Sequence, residues 1–284
     1  MLKEILLRLA VYPAAFFLLT LVVLWSVIRP PKITARQSPE DYHLPSEDVT
    51  LVTQDGLKLS GWFIPKEGTQ DSVKRAIIII HGYPVEKGDM LGIAAQLHPD
   101  FDLLLFDLRY FGKSEGIYTT LGIKERLDLY SALDFLQLRG YQHIGVFGFS
   151  LGGAVALLTA AEDHRIDAVA GYAVFSDVKT LGEETYSRFW IFKKPLVGSM
   201  LIWARLLFGE SPAVVSPVNA AKKVHVPVFL IHTRQDEQIS ITHGERLMDA
   251  LGHNDKSEFY FPDQGLHGET PVDFYQRVNH FFQD

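Results

Sequence analysis

Ile144-Gly145-Val146-Phe147-Gly148-Phe149-Ser150-Leu151-Gly152-Gly153-Ala154-Val155-Ala156-Leu157 is the stretch on which the fold turns. Its first four residues are an unbroken apolar run, as expected of a strand buried on both faces of a parallel sheet. Its last five are small and apolar, as expected of a helix packed close to its neighbours. Between them lies Gly-x-Ser-x-Gly, Gly148 to Gly152. Alone the motif is only suggestive; its place between a strand and a helix gives it weight. That place matches a nucleophile elbow, a sharp turn presenting a serine Oγ at the top of a sheet. The glycines are needed because a Cβ two residues either side of Ser150 would meet neighbouring backbone. The helix N-terminus beyond Ser150 supplies free N–H groups and a positive dipole end beside a developing oxyanion.

Working outward, the same kind of apolar run recurs at Ala76–Ile80, Leu103–Phe106, Ala168–Val174 and Val226–Ile231. Helical stretches lie between these runs, including Ile123–Leu138 closed by Gly140, Gly153–Ala161 and His243–Leu251. Upstream, Val49–Thr53 and Leu57–Ile64 alternate around Asp55-Gly56, a hairpin signal. Strands alternating with helices after an antiparallel hairpin predict an α/β sheet with helices on both faces.

A serine hydroxyl is a weak nucleophile until a base removes its proton. For a nucleophile elbow the partners follow in the order serine, acid, histidine. Of the histidines after Ser150, His267 stands in a Gly-bounded loop, Pro262 to Gly268, just after the apolar Phe259-Tyr260-Phe261. Such a loop is where a base can be presented to a ligand. The acid is read as Asp236, directly after the strand ending at Ile231, with Glu237 and Asp263 left as alternatives. Its task is to fix the histidine tautomer and stabilise the protonated ring. A second oxyanion donor is expected from the loop after the third strand, which begins His81-Gly82-Tyr83-Pro84. The N–H of Tyr83, paired with that of Leu151, is the expected donor set; a plain strand-ending turn explains His-Gly equally well.

These pieces together resemble the α/β-hydrolase superfamily over about residues 47–284: His81-Gly82, the loop Asp107–Gly116, the Gly148–Gly152 elbow, Asp236 and His267 in the family's order. The chain is similar to single-pass membrane-anchored α/β hydrolase domain-containing serine hydrolases and to the serine aminopeptidase-like, lysophospholipase-like branch. It departs from the family in the fourth-strand loop, where relatives often read D-x-R-G-x-G-x-S. Here Tyr110-Phe111 put bulk where the first glycine stands. The resemblance implies a serine esterase or thioesterase working through an acyl-enzyme on Ser150, with no metal or organic cofactor. The same triad also serves peptidases and acyltransferases, and the fold also serves as a non-catalytic binding protein. Other motifs fail: Gly112-Lys113-Ser114 lacks the upstream glycine of a P-loop, where Asp107 stands instead. No G-x-G-x-x-G or H-E-x-x-H occurs, and dehalogenases and epoxide hydrolases of this family carry Asp at the elbow.

Composition narrows the classes further. The chain has 284 residues, 47% of them hydrophobic, 21% charged and none cysteine. Disulfides, thiolate metal sites and cysteine nucleophiles are thereby excluded, and so is a disordered chain. Residues 1–36 hold five Lys or Arg against one Glu; with a net charge of −7 overall, the remaining 248 residues carry −11. A body this acidic argues against nucleic-acid binding.

Leu9–Ile28 is a 20-residue run without a charge, apolar except at Pro13, Thr20 and Ser26. A helix of that length spans about 30 Å, the thickness of a bilayer core. Residues 1–28 are read as a single-pass anchor, with a cleaved signal peptide and a buried core helix as the rival readings. Charges flank both ends, so the positive-inside count is nearly tied. The reading taken is an N-terminus in the cytoplasm and a body outside it. Residues 29–46, with four prolines, read as a linker that reaches about 60 Å if extended, so the body either rests on the bilayer or stands off it.

Between the sixth and seventh strands, residues 178–217 are rich in aromatics, including Tyr186, Phe189, Trp190, Phe192, Trp203 and Phe208. They read either as a lid over a lipid-facing acyl pocket or as a helical cap packed on the core. The expected partners are a small-molecule or lipid acyl substrate and the membrane.

Overall fold

The computed structural model describes residues 1–34, 37–68 and 74–283. Ala35 and Arg36, the latter one of the five basic residues counted in residues 1–36, lie outside the described residues. Among the described residues eight strands form one sheet: β1 (Glu47–Val52), β2 (Lys58–Ile64), β3 (Arg75–Ile80), β4 (Asp102–Phe106), β5 (His143–Phe149), β6 (Ala168–Tyr172), β7 (Val228–Ile231) and β8 (Ser257–Tyr260). The order is β1-β2-β4-β3-β5-β6-β7-β8. β1 and β2 form the antiparallel hairpin, with Gly56 in its turn at φ 88°, and β2 runs antiparallel to β4. From β4 onward every pairing is parallel. This is the α/β-hydrolase fold that the sequence predicts.

The unbroken apolar runs follow from burial on both sides. Ile78 and Ile80 face one core layer with Leu104, Phe106 and Val146, under α3 (Glu125–Leu138) and α4 (Leu151–Ala160). Ile77 and Ile79 face the other with Leu103, Leu105 and Phe147, under α2 (Leu91–Leu97) and α9 (Phe274–Gln283). Neither α2 nor α9 was picked out from the sequence, whereas the short edge strand β8 falls at the apolar Phe259-Tyr260-Phe261 read before the His267 loop. Yet α9 buries Phe274, Val278 and Phe281 at helical spacing, the signal that would have identified it. Helix α4 is buried along its whole length, which explains its small side chains. Ile123 and Lys124 lie just before α3, which begins at Glu125 rather than at Ile123. Glu125 folds back to accept hydrogen bonds from the hydroxyls of Thr119 and Thr120 and the N–H groups of Thr120 and Gly122.

After β6 the chain forms α5 (Val178–Thr185), a 3₁₀ turn at Ser187–Phe192, α6 (Lys193–Phe208) and α7 (Pro217–Ala221) before entering β7; α8 (Ile241–Leu251) follows that strand. Helix α1 (Leu2–Ile28) is long and apolar enough to cross a membrane. It is not free of the body. Thr20, Leu24 and Ile28 are buried, a stripe at i, i+4, i+8, while Leu18, Leu19, Val22 and Trp25 on other faces are exposed. Trp203 of α6 stacks on Phe17 at 4.4 Å and its indole N–H donates to the Phe17 carbonyl at 2.8 Å. The segment after α1 is held too: the Ile28 carbonyl accepts from the Thr119 N–H and the Pro30 carbonyl from the Tyr110 hydroxyl. Pro30, Pro39 and Leu44 are buried. The body therefore lies against the end of α1.

Candidate active site

Tyr83, Ser150, Leu151, Asp236 and His267 follow the carboxyl ends of the parallel strands β3, β5, β7 and β8, where open α/β sheets bind ligands. Ser150 occupies the step between β5 and α4 at φ 51°, ψ −110°, a conformation that L-residues seldom adopt. Its backbone N–H donates to the Tyr172 carbonyl at 2.8 Å, holding the elbow against β6. A Cβ on Gly148 would fall 2.4 Å from the Gly152 carbonyl carbon, and one on Gly152 would fall 2.4 Å from the Ile80 oxygen. Neither collision can be relieved by a side chain moving, because both involve main chain. The strained serine thus depends on the two glycines beside it.

His267 follows β8, in the loop between that strand and α9. Its Nδ1 lies 2.7 Å from Asp236 Oδ2, so Nδ1 carries the proton and Nε2 is left as an acceptor. The ring lies against Phe149, with centroids 4.9 Å apart. The other Asp236 oxygen, Oδ1, accepts from the N–H groups of Gln238 and Ile239 at 2.9 and 2.8 Å. Burial acts to raise the Asp236 pKa, but the His267 bond and these two amides outweigh it and hold the carboxyl below its usual range. Between the other acids the geometry discriminates. Glu237 accepts the backbone N–H of His267 at 3.0 Å, and Asp263 lies near Arg234 and is largely exposed. The structure therefore pairs Asp236, not Glu237 or Asp263, with the imidazole.

The loop after β3 lies against the elbow. A Cβ on Gly82 would come within 2.8 Å of Phe149 Cδ1 and 3.1 Å of Ser150 Cβ, so glycine is what allows this approach. Next to it His81 is fully buried and neutral, its pKa lowered by burial. Its Nδ1 bonds the Gly82 carbonyl at 2.7 Å and its Nε2 accepts from the Leu108 N–H at 3.0 Å. His81 therefore pins the loop carrying Tyr83 to the loop after β4. Leu151 opens α4, where the first amides have no intrahelical acceptor. Ser150, Leu151, Tyr83, Asp236 and His267 all line one cavity of about 840 Å³. Ser150 Oγ makes no hydrogen bond among the described residues.

Leu24 and Val27 of α1 line the same cavity, a role the sequence reading did not give them; Leu181, Val197 and Met200, from the segment read as lid or cap, line it too. Glu184 of α5 also lines it, tied by Oε2 to His243 Nε2 of α8 at 3.0 Å. Tyr110 sits at φ 75°, the glycine-favouring region, at the position where relatives often carry glycine. Its phenol reaches Pro30, and Lys32 stands 5.2 Å over its ring. No group of three His, Asp or Glu is arranged to hold a metal ion among the described residues.

Comparison with known proteins agrees with this fold. A family model described as the alpha/beta hydrolase fold matches residues 75–194. The uncharacterized protein YfhR of Escherichia coli (strain K12) is 29% identical over 226 residues, covering 77% of this chain and 72% of that protein. Protein bem46 of Schizosaccharomyces pombe is 25% identical over 245 residues, covering 77% and 80%. Among solved structures, the Pyrococcus furiosus esterase Pf2001 superposes with a TM-score of 0.71 at 25% identity, over 89% of this chain and 98% of that one. The Pyrococcus horikoshii acylaminoacyl peptidase superposes with a TM-score of 0.66 at 18% identity, over 84% of this chain and 41% of that one.

Proposed function

Given that the chain belongs to the α/β-hydrolase superfamily, we propose that it is a membrane-anchored serine hydrolase acting on carboxylic esters or thioesters with lipophilic acyl groups. The observation that carries this reading is the Asp236–His267 pair at 2.7 Å, facing the same cavity as a serine held at φ 51°. Ser150 Oγ attacks the acyl carbonyl while His267 Nε2 takes its proton. Asp236 holds the Nδ1–H and stabilises the imidazolium. The N–H groups of Tyr83 and Leu151 receive the oxyanion. His267 then protonates the leaving alcohol or thiol, and water repeats the sequence to free the acid. The likeness to an esterase at 25% identity supports ester chemistry. The likeness to an acylaminoacyl peptidase makes amides the comparison substrates.

The membrane part of the reading rests on α1. Residues 2–15 precede the docked stripe and reach only about 21 Å, short of the roughly 30 Å of a bilayer core. A spanning α1 therefore draws its docked stretch, and α6 beside it, into the interface. Ile202 and Leu206 of α6 and the run Phe189–Phe192 are exposed, as a lid touching lipid would need. The body is placed outside the cytoplasm, which a compartment-sensitive reporter on the C-terminus tests; a signal in the cytosol alone reverses the orientation. The chemistry is tested by fluorophosphonate labelling. The wild type labels and Ser150→Ala does not; equal labelling of the two removes Ser150 as nucleophile.

A further inference from the structure

Helix α1 does more than pass near the site. Its last two turns stand in the cavity wall, where Leu24 and Val27 share a lining with Ser150, Tyr83 and His267. The contact is fixed from three sides. Tyr83, whose main chain lies beside the elbow, donates its hydroxyl to the Val27 carbonyl at 2.9 Å. That carbonyl is one of the last four of α1, which lack intrahelical donors, so the phenol completes the helix end. Burial pushes the Tyr83 pKa up to about 12, so the group remains a donor throughout the physiological range. Trp203 grips the helix two to three turns earlier, at Phe17, and the Thr119 N–H closes its end at Ile28. Within the cavity lining, the side chains of Leu24, Val27, Leu181, Val197, Met200 and Leu201 offer no charge to a ligand. A wall of this chemistry receives a hydrocarbon chain.

We infer that the C-terminal turns of α1 form part of the acyl-chain subsite, and that Leu24 and Val27 determine which chain lengths the site accepts. The anchor and the specificity pocket are then one element, and the body without α1 has a cavity open on that side. The inference rests on the hydrolase reading for its substrate, but the wall itself does not depend on catalysis.

The experiment uses the full chain in detergent micelles with p-nitrophenyl esters from acetate to dodecanoate. Val27→Trp fills the subsite, and the ratio of kcat/KM for octanoate to that for acetate falls at least tenfold. Leu24→Ala enlarges it and moves the preferred chain length upward, an opposite shift that general damage does not produce. Ratios within twofold of wild type in both variants overturn the inference. If Val27→Trp does not fold, the Leu24→Ala shift alone decides. Failure of the hydrolase reading is seen separately, as a wild type that neither labels with fluorophosphonate nor turns over any ester. Binding of dansyl-undecanoic acid then reads the wall directly: a tenfold weaker Kd in Val27→Trp supports it, and an unchanged Kd overturns it.

Discussion

The two halves of the cavity are built by different means. On the sheet side, Ser150, the Tyr83 loop and the Asp236–His267 pair are held by main-chain geometry: positive φ, glycines without room for a Cβ, and paired amides on a carboxylate. On the other side, α1, α5 and α6 meet through apolar side chains and a few single hydrogen bonds such as Trp203 to Phe17. Main-chain collisions tolerate no substitution, whereas apolar contacts accept many residues of similar volume. Under the proposed hydrolase reading, the first half would carry the reaction and the second would adjust what reaches it.

The largest expected effects fall on the sheet side. Ser150→Ala lowers ester turnover by about 10⁴-fold or more, and Asp236→Asn by about 10⁴-fold because it reverses the tautomer of His267. Glu237→Gln retains an oxygen for the His267 N–H and lowers turnover by less than about tenfold. Steady-state kinetics on one short ester compare all three. Comparable losses at Asp236 and Glu237 would break the assignment of the acid. Next comes Gly152→Ala, which costs more than about 3 kcal/mol because its Cβ meets the Ile80 carbonyl. Denaturant unfolding checks it, and a loss below about 1 kcal/mol would mean that the elbow yields more easily than the main-chain contact implies.

This contrast also explains what could be read from the chain. Gly148, Ser150 and Gly152 were legible because a backbone requirement leaves a residue-type signature. His267 was legible through its Gly-bounded loop. Asp236 was read as the acid from its place directly after a strand, but Glu237 and Asp263 stayed open, since only the folded turn at Gln238 and Ile239 aims one of the three at the ring. The docking of α1 was less visible still. Where nearly every residue from Leu9 to Ile28 is apolar, a buried stripe at Thr20, Leu24 and Ile28 leaves no pattern against its surroundings. Tyr110 was noticed as a departure from the family's glycine. Its partner, the Pro30 carbonyl, lies 80 residues away and no local pattern connects the two.

A middle-sized effect separates structural support from the site. Arg109 is buried between Asp128 and Asp55, and its hydrogen bonds to Asp55 hold that carboxyl at about 2. A folded-state pKa below the unfolded value of about 3.9 stabilises the protein fully above that pH. The stabilisation disappears as pH falls from about 4 toward 2. Urea unfolding of wild type and Asp55→Asn should therefore differ at pH 6 and converge near pH 2. A difference that persists at pH 2 would assign it to something other than this ion pair.

The smallest effect tests the joint between the two halves. Tyr83→Phe leaves the main-chain N–H beside Ser150 in place and removes only the hydroxyl that reaches the Val27 carbonyl. A net hydrogen bond contributes about 0.5–1.5 kcal/mol. For a domain of this size, 1 kcal/mol lowers Tm by about 2–4 °C. If the hydroxyl mainly seats α1, the change should appear as this small loss of Tm, with KM for long-chain esters rising more than kcat falls. The oxyanion donors would be undisturbed, so acetate turnover should change less than octanoate turnover. A fall in kcat that is equal across all chain lengths would show instead that the phenol positions the oxyanion loop, and would move Tyr83 wholly to the sheet side of the comparison.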